Sequence, residues 1–169
     1  KPVNGILLDL GMSSWQIENS GRGFSFQKDE NLDMRYCGNV ECQNPNVKNE
    51  LTAEKIVNNW SEKEIEKILR EYGEEKFAEQ IAQKIVEERK IKKIESTFEL
   101  MNIIEKAVRV KNNAIPTFGK RQGRGLSIWV KAQIGARTFQ ALRIAVNDEL
   151  NNLIKVLPQA LSILVPQGD

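Results

Sequence analysis

The apolar run Ile6-Leu7-Leu8 delivers one carboxylate, Asp9, to a turn marked by Gly11, and Ser13, Ser14 and Gln16 follow closely. A short apolar run that ends in a turn reads as a buried strand of a parallel α/β sheet. Ligands of such sheets bind beyond the carboxyl ends of the strands, where Asp9 to Gln16 would lie. A carboxylate, two hydroxyls and an amide there can hold a ligand's donors or act on a reacting group. For Ser13 and Ser14 the alternative is a turn that hydrogen-bonds its own backbone.

Two further groups of side chains can meet a substrate. Arg22-Gly23-Phe24-Ser25-Phe26 and Leu32-Asp33-Met34-Arg35 place two arginines, an aspartate and two aromatics close to the first turn. They read either as substrate contacts, Arg22 and Arg35 above all, or as a structural loop anchored by Phe24 and Phe26. Lys106 to Asn147 carries nine basic residues and no acidic one, whereas Glu50 to Glu105 carries fourteen acidic and ten basic. One-sided charge of this kind is the footprint of a polyanion-binding face. Phe118 and Trp129 are interleaved with it, which suits stacking on unpaired bases. Lys120, Arg121, Arg124 and Trp129 are therefore candidate RNA contacts, the alternative being a solvated loop.

The elements that must position these groups follow from periodicity. Residues 17–50 are rich in Gly, Asn, Asp and Ser and read as a long irregular segment of a kind that is often functional. A capping box, Ser61 to Glu64, precedes Ile65, Ile68, Leu69 and Tyr72 at helical spacing, with Gly73 at the helix end. Phe77, Ile81, Ile85 and Val86 mark another helix, and Ser96 to Glu99 opens a third. This predicts an all-helical block whose apolar stripes need one another or a partner for burial. Residues 109–136 lose periodicity, and a long helix is predicted from about Thr138 to Leu157, which Pro158 breaks or follows with a new one. Strand, loop, helical block, basic loop and closing helices together predict an α/β domain interrupted by a helical insertion.

Composition narrows the function classes. The chain has 169 residues and a formal net charge of +2, with 40% hydrophobic and 28% charged residues, as in globular proteins. No apolar run approaches membrane-spanning length, and no secretory leader is evident, so a cytoplasmic protein is expected. With two cysteines (Cys37 and Cys42) and no histidine, a complete Cys/His zinc site within the chain is excluded and no metal is expected. The two thiols read as free; a disulfide across so short a loop is the other reading. The chain starts with Lys1, and its strand signal begins almost at once. That reads as an internal fragment of a longer protein.

Five blocks occur in order: Gly5 to Ser14, Arg22 to Phe26, Leu32 to Arg35, Tyr72 to Ala78, and the fourteen residues from Arg137 to Leu150. Together they resemble the bacterial 16S rRNA cytosine-N4 methyltransferase family. The resemblance covers nearly the whole chain apart from the Cys37–Glu50 loop and much of 109–136. It implies a Rossmann-like class I methyltransferase domain, here partial, with an inserted all-helical domain. The implied division is 1–22 (strand and cofactor turn), 23–136 (substrate-recognition insert with the basic loop) and 137–169 (return to the methyltransferase domain). It implies S-adenosylmethionine as cofactor, and methylation of the N4 amine of a cytidine in the decoding region of the small ribosomal subunit. Asp9 and Gln16 match the family's cofactor contacts. The family's glycine-rich turn, ribose-binding acid and aromatic lie upstream of anything in this chain, and its C-terminal strands are also missing.

A cytosine amine is a weak nucleophile, so transfer needs in-line positioning and acceptors for the amine hydrogens; Asp9, Ser13 and Ser14 are candidates. No covalent nucleophile is required, and the target base would have to be unstacked into a pocket. The sequence departs from the family at Asn4, at Gln133-Ile134-Gly135-Ala136, and at the closing Val165-Pro166-Gln167-Gly168-Asp169. Arg137, Arg143 and Asn147 lie inside the last matched block, and Arg143 and Asn147 share a helix face. They read as substrate contacts or as surface positions. The competing functions are an RNA-binding fragment or degenerate paralogue without activity, and a helical protein-interaction module.

Overall fold

A computed structural model describes residues 3–36, 50–110 and 128–164. Cys37, Cys42, Lys120, Arg121, Arg124 and the closing turn at 165–169 lie outside the described residues. Seven helices are described: α1 (Ser14–Asn19), α2 (Ala53–Asn59), α3 (Glu62–Glu71), α4 (Ala78–Glu88), α5 (Thr97–Val110), α6 (Ile128–Asn147) and α7 (Glu149–Ile163).

Their starts follow from capping chemistry. Ser13 and Gln16 form a reciprocal capping box on α1, Thr52 caps α2, and Ser61 with Glu64 forms the box expected on α3. Ile65, Ile68 and Leu69 of α3 pack with Ile81, Ala82 and Ile85 of α4, and with Leu100, Ile103 and Ile104 of α5. Helix α4 lies between α3 and α5, and α6 crosses α2, α3 and α5. Phe139, Leu142 and Val146 of α6 complete the core. Arg89, at the end of α4, donates to the carbonyls of Val57 (2.9 Å) and Trp60 (2.7 Å), which the end of α2 leaves without intrahelical donors.

Gly73 is needed for proximity. A Cβ there would stand 2.5 Å from the Arg137 carbonyl oxygen and 3.0 Å from that of Leu69. The left-handed position of this turn belongs to Glu74 (φ 49°). Gly73→Ala forces α3 away from α6 and is expected to destabilise the protein by about 1–3 kcal/mol, the usual range for overpacking. Chemical denaturation checks this, and an unchanged midpoint would mean the two helices can separate freely.

Four sequence expectations need correction. The opening run is not a strand: among the described residues there is no named β-strand, only isolated bridges between Val3 and Leu164 (parallel) and between Asn31 and Ser96 (antiparallel). The parallel bridge, with the Val3 N–H 2.9 Å from the Ile163 carbonyl oxygen, is the one trace of α/β pairing. A strand of the parallel kind that this run predicts needs a paired neighbour and cover on both faces. Here Leu7 is 94% exposed and Leu10 65%.

The predicted helix from 138 to 157 is in fact two. Helix α6 starts ten residues earlier at Ile128 and ends at Asn147, where Asp148 adopts a left-handed conformation (φ 50°) before α7. Gly135, read as part of an irregular stretch, is helical and admits Met101, whose sulfur would lie 2.9 Å from an added Cβ. Pro158 neither breaks α7 nor opens a new helix; it sits inside α7, whose surface is largely exposed, so water can take the carbonyl it frees.

The 22–36 part of the irregular segment is pinned. Leu32 and Met34 are fully buried, and Phe24 nearly so. Backbone bonds tie Leu32 to Glu95, Glu30 to Thr97, and Asp33 to Ala53. The buried Thr97 hydroxyl donates to the Lys28 carbonyl and accepts the Glu30 N–H. No helix among the described residues is long and apolar enough to cross a membrane.

Candidate functional site

Two clefts flank the turn that follows Asp9. The first, about 400 Å³, is bounded by Asp9 and Leu10 of the opening run, Tyr36 of the pinned loop, Arg143 and Asn147 of α6, and Glu149 of α7. The second, about 310 Å³, is bounded by Met12, Ile17, Phe24, Phe26 and Phe139, with Arg143 on its rim. Both volumes fall in the range of small-molecule sites, about 300–1,000 Å³. Arg143 is common to both clefts, and Tyr36 of the first stacks on Phe24 of the second (centroids 5.8 Å apart, rings inclined 14°).

The wall between the clefts is a hydrogen-bonded assembly. Arg143 donates from Nε (2.8 Å) and Nη2 (3.1 Å) to the two carboxylate oxygens of Glu149, a bidentate pair. The Tyr36 hydroxyl donates to Glu149 Oε1 (2.9 Å). Burial, then the bond to Glu149, push the Tyr36 phenol up to about 12, so it stays a neutral donor across the usual assay range. Asn147 Oδ1 accepts the Tyr36 N–H (2.8 Å), and its Nδ2 donates to the carbonyls of Met34 (2.8 Å) and Arg143 (2.9 Å). These bonds hold Met34 left-handed (φ 59°), a strained setting for a long side chain.

Arg143 and Glu149 are six residues apart, which on a straight helix would set them about 120° apart around the axis and nearly two turns along it. Only the left-handed Asp148 swings Glu149 back onto Arg143. Sequence reasoning missed Glu149 for that reason: it stood in the matched block, but helical spacing pairs residues three or four apart. Tyr36 was missed because its partners lie more than a hundred residues away.

The remaining candidates are placed as follows. Asp9 is exposed in the first cleft and has no hydrogen bond or ion pair among the described residues. Gln16 lines neither cleft: its Oε1 accepts the Ser13 N–H (2.9 Å), and the Ser13 hydroxyl accepts the Gln16 N–H (3.4 Å). Ser14 is the exposed first residue of α1. Arg22 donates from Nη1 to the carbonyls of Arg35 (3.3 Å) and Tyr36 (3.1 Å) and so holds the loop. Trp129 is 86% exposed in the first turn of α6, and Arg137 is half-buried on the same helix, with its carbonyl against Gly73.

Arg35 is clamped to Asp33 through Nε (2.6 Å) and Nη2 (2.8 Å). Burial raises the Asp33 carboxyl, but the hydrogen bonds and charge of Arg35, with the charge of Arg22, outweigh it and hold it below its ordinary 3.8. A lowered carboxyl stabilises the fold above its unfolded value, and that contribution is lost as pH falls through the folded one. Asp33→Asn is therefore expected to flatten the loss of stability between about pH 5 and 3, as read by urea midpoints. Parallel curves for variant and parent would refute it.

The whole chain, residues 1–169, matches the sequence profile of the MraW methylase family. It is 43% identical over 166 residues to "Ribosomal RNA small subunit methyltransferase H" of Heliobacterium modesticaldum, covering 98% of this chain and 45% of that protein. It is 44% identical over 168 residues to the protein of the same name from Halothermothrix orenii (99% and 46%), and 42% identical over 166 to that of Ruminiclostridium cellulolyticum (98% and 45%). The chain thus spans a little under half the length of the relatives it matches.

Proposed function

The chain belongs to the MraW methylase family, and from that premise we propose that its first cleft is part of the cofactor site of an S-adenosylmethionine-dependent ribosomal RNA methyltransferase. The proposed reaction is methylation of the N4 amine of a cytidine in the decoding region of 16S rRNA. The observation that carries it is Asp9, a carboxylate without a partner among the described residues, in a cleft whose other charged side chains, Arg143 and Glu149, pair with each other. A carboxylate acceptor in such a cleft suits a cofactor with a cationic sulfonium, an ammonium and hydroxyl donors. Asp9 would hold it from within the cleft; Gln16, which lies outside the cleft here, is the second contact that the family resemblance implies.

When bound, S-adenosylmethionine supplies an electrophilic methyl group. The residues of this chain orient the amine, accept its hydrogens and exclude water. Asp9, Ser13 and Ser14 are the acceptors proposed for the hydrogens shed as the nitrogen becomes tetrahedral. Residues 1–22 and 137–169 are assigned to the methyltransferase domain, and 23–136 to a recognition insert that carries Arg22, Arg35, Lys120, Arg121, Arg124 and Trp129 toward RNA. Helix α6 runs unbroken across 136 and 137, so the two parts would share a rigid element.

One observation favours the second reading, an RNA-binding fragment without activity: the Gln16 side-chain oxygen, Oε1, is committed to its capping box. Nucleoside mass spectrometry of ribosomal RNA from cells lacking the gene separates the two. Loss of N4-methylcytidine from the decoding region is expected; its persistence would overturn the methyltransferase reading.

A further inference from the structure

Arg143 has a guanidinium half fastened and half free. Nε and Nη2 are taken by Glu149, Glu149 is fixed by the Tyr36 hydroxyl, and Tyr36 is fixed by Asn147. The Nη1 group has no acceptor among the described residues, although the Arg143 side chain is only 17% exposed. A rigidly held cationic donor pair bordering both clefts calls for a ligand acceptor where they meet. The second cleft is walled by Phe24, Phe26 and Phe139, with Phe26 and Phe139 edge to face (5.4 Å), which is the chemistry of a slot for a flat heterocycle.

A cytosine seated there with its N4 amine toward the Asp9 side presents N3 and O2, both acceptors, along the same edge. A uracil presents an N3–H donor instead, which a guanidinium repels. We propose that Arg143 is a specificity-determining residue that donates to the N3/O2 edge of the target base, with Glu149 and Tyr36 as the positioning residues that aim it. The proposal rests on the methyltransferase reading above and extends it to base selection.

The test uses the full-length protein that carries this chain and two RNA substrates, one with cytidine and one with 3-deazacytidine at the target position. The wild type is expected to prefer cytidine by roughly 10- to 100-fold in kcat/KM, the range for a hydrogen bond to a charged group. Arg143→Lys, which cannot make the bidentate pair with Glu149 and still reach the base, is expected to lose most of that preference. Tyr36→Phe keeps the ring and removes only the hydroxyl, and is expected to lose part of the preference.

An Arg143→Lys enzyme that keeps the full preference overturns the proposal, whatever its stability. So does a higher KM for both RNAs alike, which marks a phosphate contact. A wild type that methylates neither RNA overturns the methyltransferase reading as well, which distinguishes the two failures.

Discussion

Asn147→Ala is expected to lower the unfolding free energy by about 2–4 kcal/mol, the largest loss of any single polar side chain around the clefts. Three hydrogen bonds disappear together, at about 0.5–1.5 kcal/mol each. The carbonyls of Met34 and Arg143 lose their amide donor, and the left-handed backbone at Met34 loses its clamp. Asn147→Asp sharpens the reading, because a carboxylate can still accept the Tyr36 N–H but meets the two carbonyls with like polarity. It is expected to be at least as harmful as alanine at neutral pH, and milder in acid, where the protonated carboxyl can donate once. Urea unfolding of both variants at pH 7 and pH 4 checks this. Parent-like stability for either at pH 7 would mean that the core contacts of Leu32 and Met34 alone hold the loop.

The second large effect is on ligand binding. Asp9 is exposed and has no partner among the described residues, so Asp9→Asn and Asp9→Ala are expected to leave the unfolding midpoint unchanged. If the first cleft receives S-adenosylmethionine, both are expected to weaken its binding to the full-length protein by roughly 10- to 100-fold, the range for removing a hydrogen bond to a charged group. Titration calorimetry reads this directly. Unchanged affinity in both variants would move the cofactor away from Asp9 and leave the cleft without its proposed occupant.

How much of this was legible in the sequence depended on whether the relevant interaction was local. Helix α3 was plain, because Ser61, Glu64, Ile65, Ile68 and Leu69 lie within one run and each contact is an i, i+3 or i+4 relation. The N-terminal half of α6 was hidden. Gln133 and Gly135 break its apolar rhythm, and it is the packing of Met101 and Phe26 onto Gly135, from distant segments, that favours helix there. The break at Asp148 was hidden for the opposite reason: Asn147, Asp148 and Glu149 are polar residues of no special spacing between two good helical stripes. Their roles as clamp, left-handed joint and arginine partner exist only once the pinned loop arrives from more than a hundred residues away.

The opening run shows the limit of pattern reading in another form. Ile6, Leu7 and Leu8 carry the apolar signature of a buried strand, yet the described residues offer one parallel bridge and no cover for Leu7 or Leu10. Asp9 was found from the same pattern, since a turn after such a run presents a side chain to a cleft whether or not the sheet is built. Arg143 and Asn147 shared a helix face as spacing required, but their division of labour did not follow from spacing. Asn147 bonds to backbone on both sides of the corner, and only Arg143 keeps a free donor edge.

The most direct test of the central claim is reconstitution. Full-length protein is incubated with methyl-labelled S-adenosylmethionine and small ribosomal subunits from cells lacking its gene, and the digested 16S RNA is resolved by nucleoside mass spectrometry. Labelled N4-methylcytidine from the decoding region with the parent protein, and its loss with Asp9→Ala, is the predicted result. An unlabelled RNA, or label on any other nucleoside, would contradict the account.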